Sequence, residues 1–563
     1  MANTDAKKFF EKALNYYKEK KFDLVEENFE AALELAPERV SILENLASIY
    51  YLNKKFKKSE ETINKLNKLK IENDKLDEIK FYVLKKLEKF DELFIFLKKK
   101  NYFKDINKKI YITAKLLYPS FFNNVESIDE SRFNLNKNID ELNLNKDLNL
   151  SLDGEMIDPP IFNLSYDQYE NLNLNKKIVN VFRKIYPELN QDLKNKSKNL
   201  NKKIKIGFIS EFFSNHTIGK LFKGMIFNLD KSKFETIVFH SHKTDHSIIF
   251  KEFLDAEINQ RIRNIILPKN FQQSVDKINN ESLDLVFFPD IGMSSEFYYL
   301  SFIRFAKIQI TSWGHPISTS NESIDYFLSS KLLETKNADK RFSEKLILSN
   351  CLPMYFYKPK IKNFLTDNEI VNKNIYFCSQ NLIKVHPHFD EVVSKILKKD
   401  KKAKILFVKD KNEIVFKKLT ERMSKNQSLD LDRVSFLGKM GVEEYINLCG
   451  SSSVLLDTLY FGAGNSFHEA MVYGTPMVSM PTDNLKSRIV LGAYKQMQID
   501  KPPIVSTIDD YVDCAVELAN NEEKKMLEIK KLFQKQADEH LFENKNFLKD
   551  INDIFESLFK NKD

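Results

Sequence analysis

A period of 34 residues runs through positions 5–104 and constrains that part of the fold more than any other feature of the chain. Ala13 recurs as Ala47, Tyr16 as Tyr50, Phe29 as Ile63 and Ala32 as Leu66. The tripeptide Lys20-Lys21-Phe22 returns as Lys54-Lys55-Phe56 and then as Glu88-Lys89-Phe90. Such a repeat specifies helix pairs that cannot bury their apolar faces alone and must stack on their neighbours. Small side chains at Ala13 and Ala47 let paired helices approach closely, and the aromatic positions fill the space between units. Pro37 stands where a second helix ends. The third unit, about 73–104, keeps the period but carries Phe81 in place of the small residue, as expected of a terminal unit meeting another domain.

These positions resemble the tetratricopeptide repeat. The resemblance implies a concave face that holds a peptide or partner protein; an array that only braces the neighbouring domain is the other reading.

The 563 residues have room for about three to four domains. With 42% hydrophobic and 30% charged residues the composition is that of a globular chain. No run of about 18 apolar residues predicts a membrane span, and the charged N-terminus lacks the apolar core of a secretory signal, so the cytoplasm is expected. The net charge of +8 does not point to nucleic acid, because only ten of the 88 basic residues are arginine, the side chain suited to phosphates and base edges. The surplus belongs to a Lys, Asn, Ile and Phe bias spread over the whole chain. Four cysteines stand far apart without a CxxC spacing and read as buried free thiols. No oligomeric state follows from the sequence.

Residues 105–202 read as a connector with some helix, such as 176–186, interrupted by Asn/Lys-rich text at 134–150, 171–177 and 195–203 and by Pro159-Pro160. Asn favours turns and caps over regular elements. No chemistry is visible in this stretch.

From 203 onward short apolar runs alternate with amphipathic helical stretches. Strands are predicted at 204–209, 234–240, 283–288 and 308–313, then at 375–378, 404–408, 434–437, 454–457 and 477–480. The pattern predicts two parallel sheets wound with helices, in halves at 203–350 and 370–540, followed by a C-terminal helix at 541–563. The fold class is therefore α/β with an N-terminal all-α array. Ligands in such sheets sit at the carboxyl ends of the strands, and polar residues gather there. Ser210 through Gly219, with His216, follows the first predicted strand. Pro289-Asp290-Ile291-Gly292-Met293-Ser294 follows the third, and Trp313-Gly314-His315-Pro316 ends the fourth. In the second half Gln380-Asn381-Leu382-Ile383-Lys384 opens a helical turn, where a lysine can meet a phosphate as a point charge. Phe461-Gly462-Ala463-Gly464-Asn465-Ser466-Phe467-His468-Glu469 then forms a glycine turn into a helix, whose first amides suit an anion and whose Glu469 can accept from ribose hydroxyls.

In this order the segments resemble the O-linked N-acetylglucosamine transferase family, including its SPINDLY-like and HMW1C-like bacterial members, which join tetratricopeptide repeats to a GT-B pair of Rossmann-like domains. The resemblance covers the repeats and nearly all of 203–500. It implies an acceptor-side first half, a nucleotide-sugar second half, and inverting, metal-independent transfer of N-acetylglucosamine from UDP-GlcNAc to Ser or Thr of a protein acceptor. Within the class, transfer of fucose from a GDP sugar or of glucose onto Asn stays open, as does a non-catalytic scaffold. No cofactor is implied beyond the nucleotide-sugar substrate. His216 matches the family's active-site histidine and Lys384 the lysine that neutralises the donor pyrophosphate, with Gln380 and Asn381 at the polar positions before it. The Gly464, Asn465 and Ser466 amides match the phosphate-binding helix start, and Glu469 takes the place of a ribose-binding aspartate. Met440 would offer backbone groups to the base, Tyr445 would stack on it, and Val442 replaces a basic residue common in animal members. His216, Asp290 and His315 are all candidates for the proton acceptor.

Three other groups read as structural. Asp430-Leu431-Asp432 precedes a strand rather than following one into the site, so it is expected as surface charge. His386, His388 and Asp390 point in different directions at a helix start, which disfavours a metal cluster, and His240, His242 and His246 receive the same reading.

Overall fold

The computed structural model describes residues 2–104, 107–145, 147–191, 193, 203–244, 247–409, 413–426 and 429–560. His246 and most of the Asn/Lys text at 195–203 lie outside them. The chain forms two compact units, 1–119 and 120–563. No helix among the described residues is long and apolar enough to cross a membrane.

The first unit is all helix: Ala2–Lys18, Phe22–Leu35, Val40–Leu52, Phe56–Lys68, Asp74–Lys86, Phe90–Lys99 and Lys108–Lys115. Ala13 and Ala47 are fully buried, and Ala13 shares one apolar core with Val25, Phe29, Ala32 and Leu46. The period also appears in the backbone, since Lys20, Lys54 and Glu88 all turn out of a helix with positive φ of 57°, 60° and 52°. A polar ladder ties successive units together. Lys55 donates to Glu26 at 2.6 Å and Lys89 to Glu60 at 2.5 Å, while Asn73 donates to Glu44 at 2.6 Å and Asn107 to Glu78 at 2.8 Å. Asn73 and Asn107 also cap the helices that follow them. The register therefore continues past the expected limit at 104 into the helix Lys108–Lys115, and the unit closes at Pro119.

In the second unit the segment expected as a broken connector contains the twenty-residue helix Val125–Leu144. Burial overrides the turn preference of asparagine here, because Ile128, Leu135, Ile139 and Leu142 recur at helical spacing and all are buried. Asn124 acts as the cap, its side chain accepting from the Ser127 amide at 2.8 Å. A second helix, Leu172–Ile185, buries Ile178, Val181, Phe182 and Ile185.

Two parallel sheets follow. The first contains β1 (Ile204–Ile209), β2 (Phe234–His240), β3 (Arg263–Ile266), β4 (Leu285–Phe288), β5 (Ile308–Ser312), β6 (Tyr326–Ser330) and β7 (Lys345–Ser349), in the order β3-β2-β1-β4-β5-β6-β7. The second contains β8 (Ile375–Cys378), β9 (Lys404–Val408), β10 (Val434–Leu437), β11 (Val454–Leu456) and β12 (Met477–Val478), ordered β10-β9-β8-β11-β12. Neighbouring strands in both sheets pair in parallel, so each connection carries the chain back from one end of the sheet to the other. Three strands, β3, β6 and β7, escape the sequence pattern. β3 and β7 are edge strands with exposed residues among their apolar ones, and β6 ends in two serines.

The C-terminal helix Lys545–Lys560 returns to the first half. Phe555 packs edge-on against Phe234 and Phe287 at 6.3 and 6.1 Å, and Asp550 accepts from Ser349 and the Asn350 amide. The last element of the chain thus completes the core of the earlier sheet.

Candidate active site

The switch points of the two sheets lie beside β1 and β4 in the first and beside β8 and β11 in the second, and the polar residues stand at these ends. Beyond β1, Ser210 donates to Asp290 at 3.0 Å. Asp290 is 6% exposed, and burial raises its carboxyl to about 7. The same loop makes Ile291 O the acceptor for His315 Nδ1 at 2.8 Å, which commits that nitrogen as the donor. His315 Nε2 is then a lone-pair acceptor; it is buried and has no hydrogen-bond partner. Gly292 allows this arrangement, since its φ is +108° and a Cβ there would lie 2.6 Å from the imidazole.

His216 caps the helix Thr217–Phe227, with Nδ1 accepting from the Ile218 amide at 3.2 Å and the ring stacked on Phe212 at 4.4 Å. An accepting Nδ1 leaves the proton of the neutral ring on Nε2, so His216 is placed to donate a hydrogen bond. Burial first, then the Lys220 charge, lowers its pKa to about 4, and burial does the same for His315. Of the three proton-acceptor candidates, only Asp290 titrates near neutrality.

In the second half Asn381 caps the turn Leu382–Lys384 by accepting from the Ile383 amide at 3.0 Å. The turn brings the Lys384 ammonium to Gln380 Oε1 at 3.0 Å and Gly462 O at 3.2 Å, 4.8 Å from the centre of the Phe461 ring. Gln380 in turn donates to Ser466 Oγ at 2.7 Å. Burial lowers the Lys384 pKa to about 8, and the Asp457 carboxylate opposes that shift. Asp457 at the end of β11 accepts from the Ala463 amide at 2.7 Å and from Ser479 at 2.6 Å, so it holds the glycine turn from beneath. Its own acid is raised to about 6 by burial. Sequence reasoning assigns no role to Asp457, although an acid at a strand end followed by a glycine turn is a signal that could have found it.

The two halves meet at this turn. A Cβ on Gly464 would stand 3.4 Å from the Trp313 ring, and Lys220, one helical turn past His216, pairs with Glu469 at 2.6 Å. Glu469 is buried and engaged by a lysine of the other half rather than standing open for a ribose. The helix after the turn, Asn465–Ala470, is short, and Asn465 Oδ1 is buried without a partner. Beside the cluster an open cleft of about 260 Å³ is lined by Ser379, Gln380, Asn381, Val408, Lys409, Lys439 and Tyr445. The Tyr445 hydroxyl donates to Ser379 O at 3.1 Å. Met440 is half-buried on the same loop, but its neighbour Lys439 lines the cleft.

Several of the other polar groups find structural partners. Asp430 pairs with Arg433 at 2.7 Å, His386 bonds Gln168 at 2.9 Å, His388 bonds Tyr460 at 2.7 Å and Asp390 pairs with Arg422 at 2.8 Å. Buried His240 bonds Asn264 at 2.9 Å. Among the described residues no group of three or more His, Cys, Asp or Glu is placed to hold a metal ion.

Comparison with known proteins gives a consistent picture. The model of the family described as Glycosyl transferase family 41 matches residues 167–358 and 364–551, more than half of the chain. A probable UDP-N-acetylglucosamine–peptide N-acetylglucosaminyltransferase, SEC, of Arabidopsis thaliana is 20% identical over 365 residues, covering 62% of this chain and 36% of its own length. A UDP-glucose:protein N-beta-glucosyltransferase of Actinobacillus pleuropneumoniae is 24% identical over 273 residues, covering 46% of this chain and 41% of its own. The chain thus matches well under half the length of these relatives. A solved structure of a mutant Thermobaculum terrenum O-GlcNAc transferase superposes over 100% of this chain and 98% of its own, with TM-score 0.70 and 13% identity, a likeness of fold.

Proposed function

Since the chain belongs to glycosyl transferase family 41, we propose that it is an inverting, metal-independent protein glycosyltransferase that moves N-acetylglucosamine from UDP-GlcNAc to Ser or Thr of an acceptor protein, with the repeat array as a docking surface for that acceptor. One observation carries the reading. The Lys384 ammonium is fixed by Gln380 and Gly462 O beside Ser466, at the switch point of the second sheet. A diphosphate settling there exchanges those neutral acceptors for its own anionic oxygens.

The chemistry follows from these positions. The acceptor hydroxyl attacks the anomeric carbon, the bond to the β-phosphate oxygen breaks, and the nucleoside diphosphate leaves with the electron pair. Lys384 and the amides at the start of the Asn465–Ala470 helix stabilise the charge that develops on the leaving oxygen. Asp290, with a pKa of about 7, is the group suited to take the hydroxyl proton. His216, as an Nε2–H donor, hydrogen-bonds to donor or acceptor oxygen. The cleft beside Tyr445 receives the base, and the Lys220–Glu469 pair opens when the ribose takes its place beside Glu469.

The Actinobacillus relative, a UDP-glucose:protein N-beta-glucosyltransferase, supports a second reading, transfer of glucose from UDP-glucose to a nitrogen of the acceptor protein. Calorimetric titration with UDP and with GDP, on wild type and Lys384→Ala, tests the site. Tight UDP binding that disappears in the variant is expected; failure of both nucleotides to bind the wild type would overturn the assignment.

A further inference from the structure

The segment before β1 carries no motif, yet it sets two aromatic rings between the halves of the site. Phe162, in the helical turn Ile161–Leu164, lies nearly parallel to His315, with ring centres 6.0 Å apart and planes inclined by 25°. The same ring meets Tyr166 edge-on at 5.3 Å. Tyr166 packs on Phe461 at 4.7 Å, and Phe461 carries the Lys384 ammonium 4.8 Å from its centre. A continuous file of rings therefore joins His315 on the rim of the first sheet to Lys384 on the rim of the second. Phe162, Tyr166 and Phe461 are each only half-buried. At the far end of the file stands His315 Nε2, buried and without a partner.

The file is rigidly mounted. Lys486, 2% exposed, donates to the backbone oxygens of Asp167 at 2.6 Å and Tyr169 at 3.0 Å. Arg132 pairs with Asp167 at 2.6 Å, and Gln168 bonds His386 at 2.9 Å. Committing a buried ammonium to two carbonyls of a connecting segment costs desolvation, and a plain tether needs no such anchor.

We propose that Phe162 and Tyr166 form the platform on which the pyranose ring of the sugar donor lies, with His315 Nε2 accepting a hydrogen bond from one of its hydroxyls. The inference rests on the reading of Lys384 as the diphosphate lysine. With the diphosphate at Lys384, the sugar begins within a bond or two of it, and the file of rings leads from there toward Asp290 and His315, where the acceptor is activated. A pyranose presents a face of C–H groups and an edge of hydroxyls, which match a ring surface with one lone pair at its end. The connector is thereby part of the donor site, and it contributes sugar recognition rather than nucleotide recognition.

The test separates these two contributions. Dissociation constants for UDP and for UDP-GlcNAc are measured by calorimetry on wild type, Tyr166→Leu, Phe162→Leu and Tyr166→Phe. Expected are UDP affinities within about twofold of wild type throughout and a UDP-GlcNAc affinity about 3- to 10-fold weaker in the two leucine variants, the size of one aromatic stacking interaction. Tyr166→Phe, which keeps the ring, should recover the wild-type ratio of the two constants. Should Tyr166→Leu not fold, Phe162→Leu carries the same test. An unchanged UDP-GlcNAc affinity in a folded leucine variant would overturn the platform. So would an equal weakening of UDP and UDP-GlcNAc, which would mark the rings as supports of Lys384. Failure of the wild type to bind UDP would overturn the diphosphate reading itself, and the platform with it.

Discussion

Replacing Lys384 by methionine keeps the approximate length of the side chain and removes one charge. The ammonium donates to Gln380 Oε1 at 3.0 Å and Gly462 O at 3.2 Å. Bound diphosphate would take over those bonds as charge-assisted ones, each worth about 1.5–3 kcal/mol. Methionine can make neither, so nucleotide binding should weaken by at least the roughly 10- to 150-fold that one such bond is worth at neutral pH. The pH dependence gives a second signature. Burial lowers the Lys384 pKa to about 8, so the ammonium form dominates at pH 7 and is the minor form at pH 9. An anion binds the protonated form, so wild-type UDP affinity should fall through pH 8 by up to about tenfold per unit, while Lys384→Met shows no edge there. Calorimetry at pH 6.5, 8 and 9 reads both effects. A methionine variant within about threefold of wild type, or one that keeps the pH 8 edge, would refute the role given to this lysine.

Other expectations follow from neighbouring groups. Asp457→Asn removes the carboxylate that holds the Lys384 pKa up, so the edge in UDP affinity should move below pH 8, as the same titration would show. Asp290→Asn should lower kcat by about 10²–10⁴-fold with little change in donor KM. With the carboxyl at about 7, wild-type kcat should rise as pH passes upward through 7, and the asparagine variant should lack that limb. Lys530 lies fully buried, donating to the carbonyls of Ile370, Gly450 and Ser452, each at 2.7 Å. Lys530→Met should therefore destabilise the fold by about 3 kcal/mol, read from the urea midpoint.

The elements most legible in the sequence are those whose signal is local. Seven of the nine strands expected from 203 onward begin and end within one residue of the observed ones, because buried parallel strands read as short apolar runs. The repeat period is equally plain, down to its backbone turns at Lys20 and Lys54. What stays hidden depends on distant partners. Val125–Leu144 is asparagine-rich text that only the burial of Leu135, Ile139 and Leu142 makes a helix. Tyr166 and Phe162 look like linker residues until Phe461 and His315, far along the chain, come beside them. The tautomers of His216 and His315 depend on the Ile218 amide and the Ile291 carbonyl, partners that residue spacing does not reveal. Glu469 could be placed beside the glycine turn from sequence, but its pairing with Lys220 of the other half could not.

The most direct test of the central claim is transfer itself. Wild type and Lys384→Met are incubated with UDP-GlcNAc, UDP-glucose or GDP-fucose and a library of Ser-, Thr- and Asn-containing peptides, and glycosylated products are read by mass spectrometry. Expected is N-acetylglucosamine on Ser or Thr peptides with the wild type, falling at least about tenfold in the variant. Absence of both transfer and donor hydrolysis with all three donors, from a folded wild type that binds UDP, would contradict the proposed glycosyltransferase.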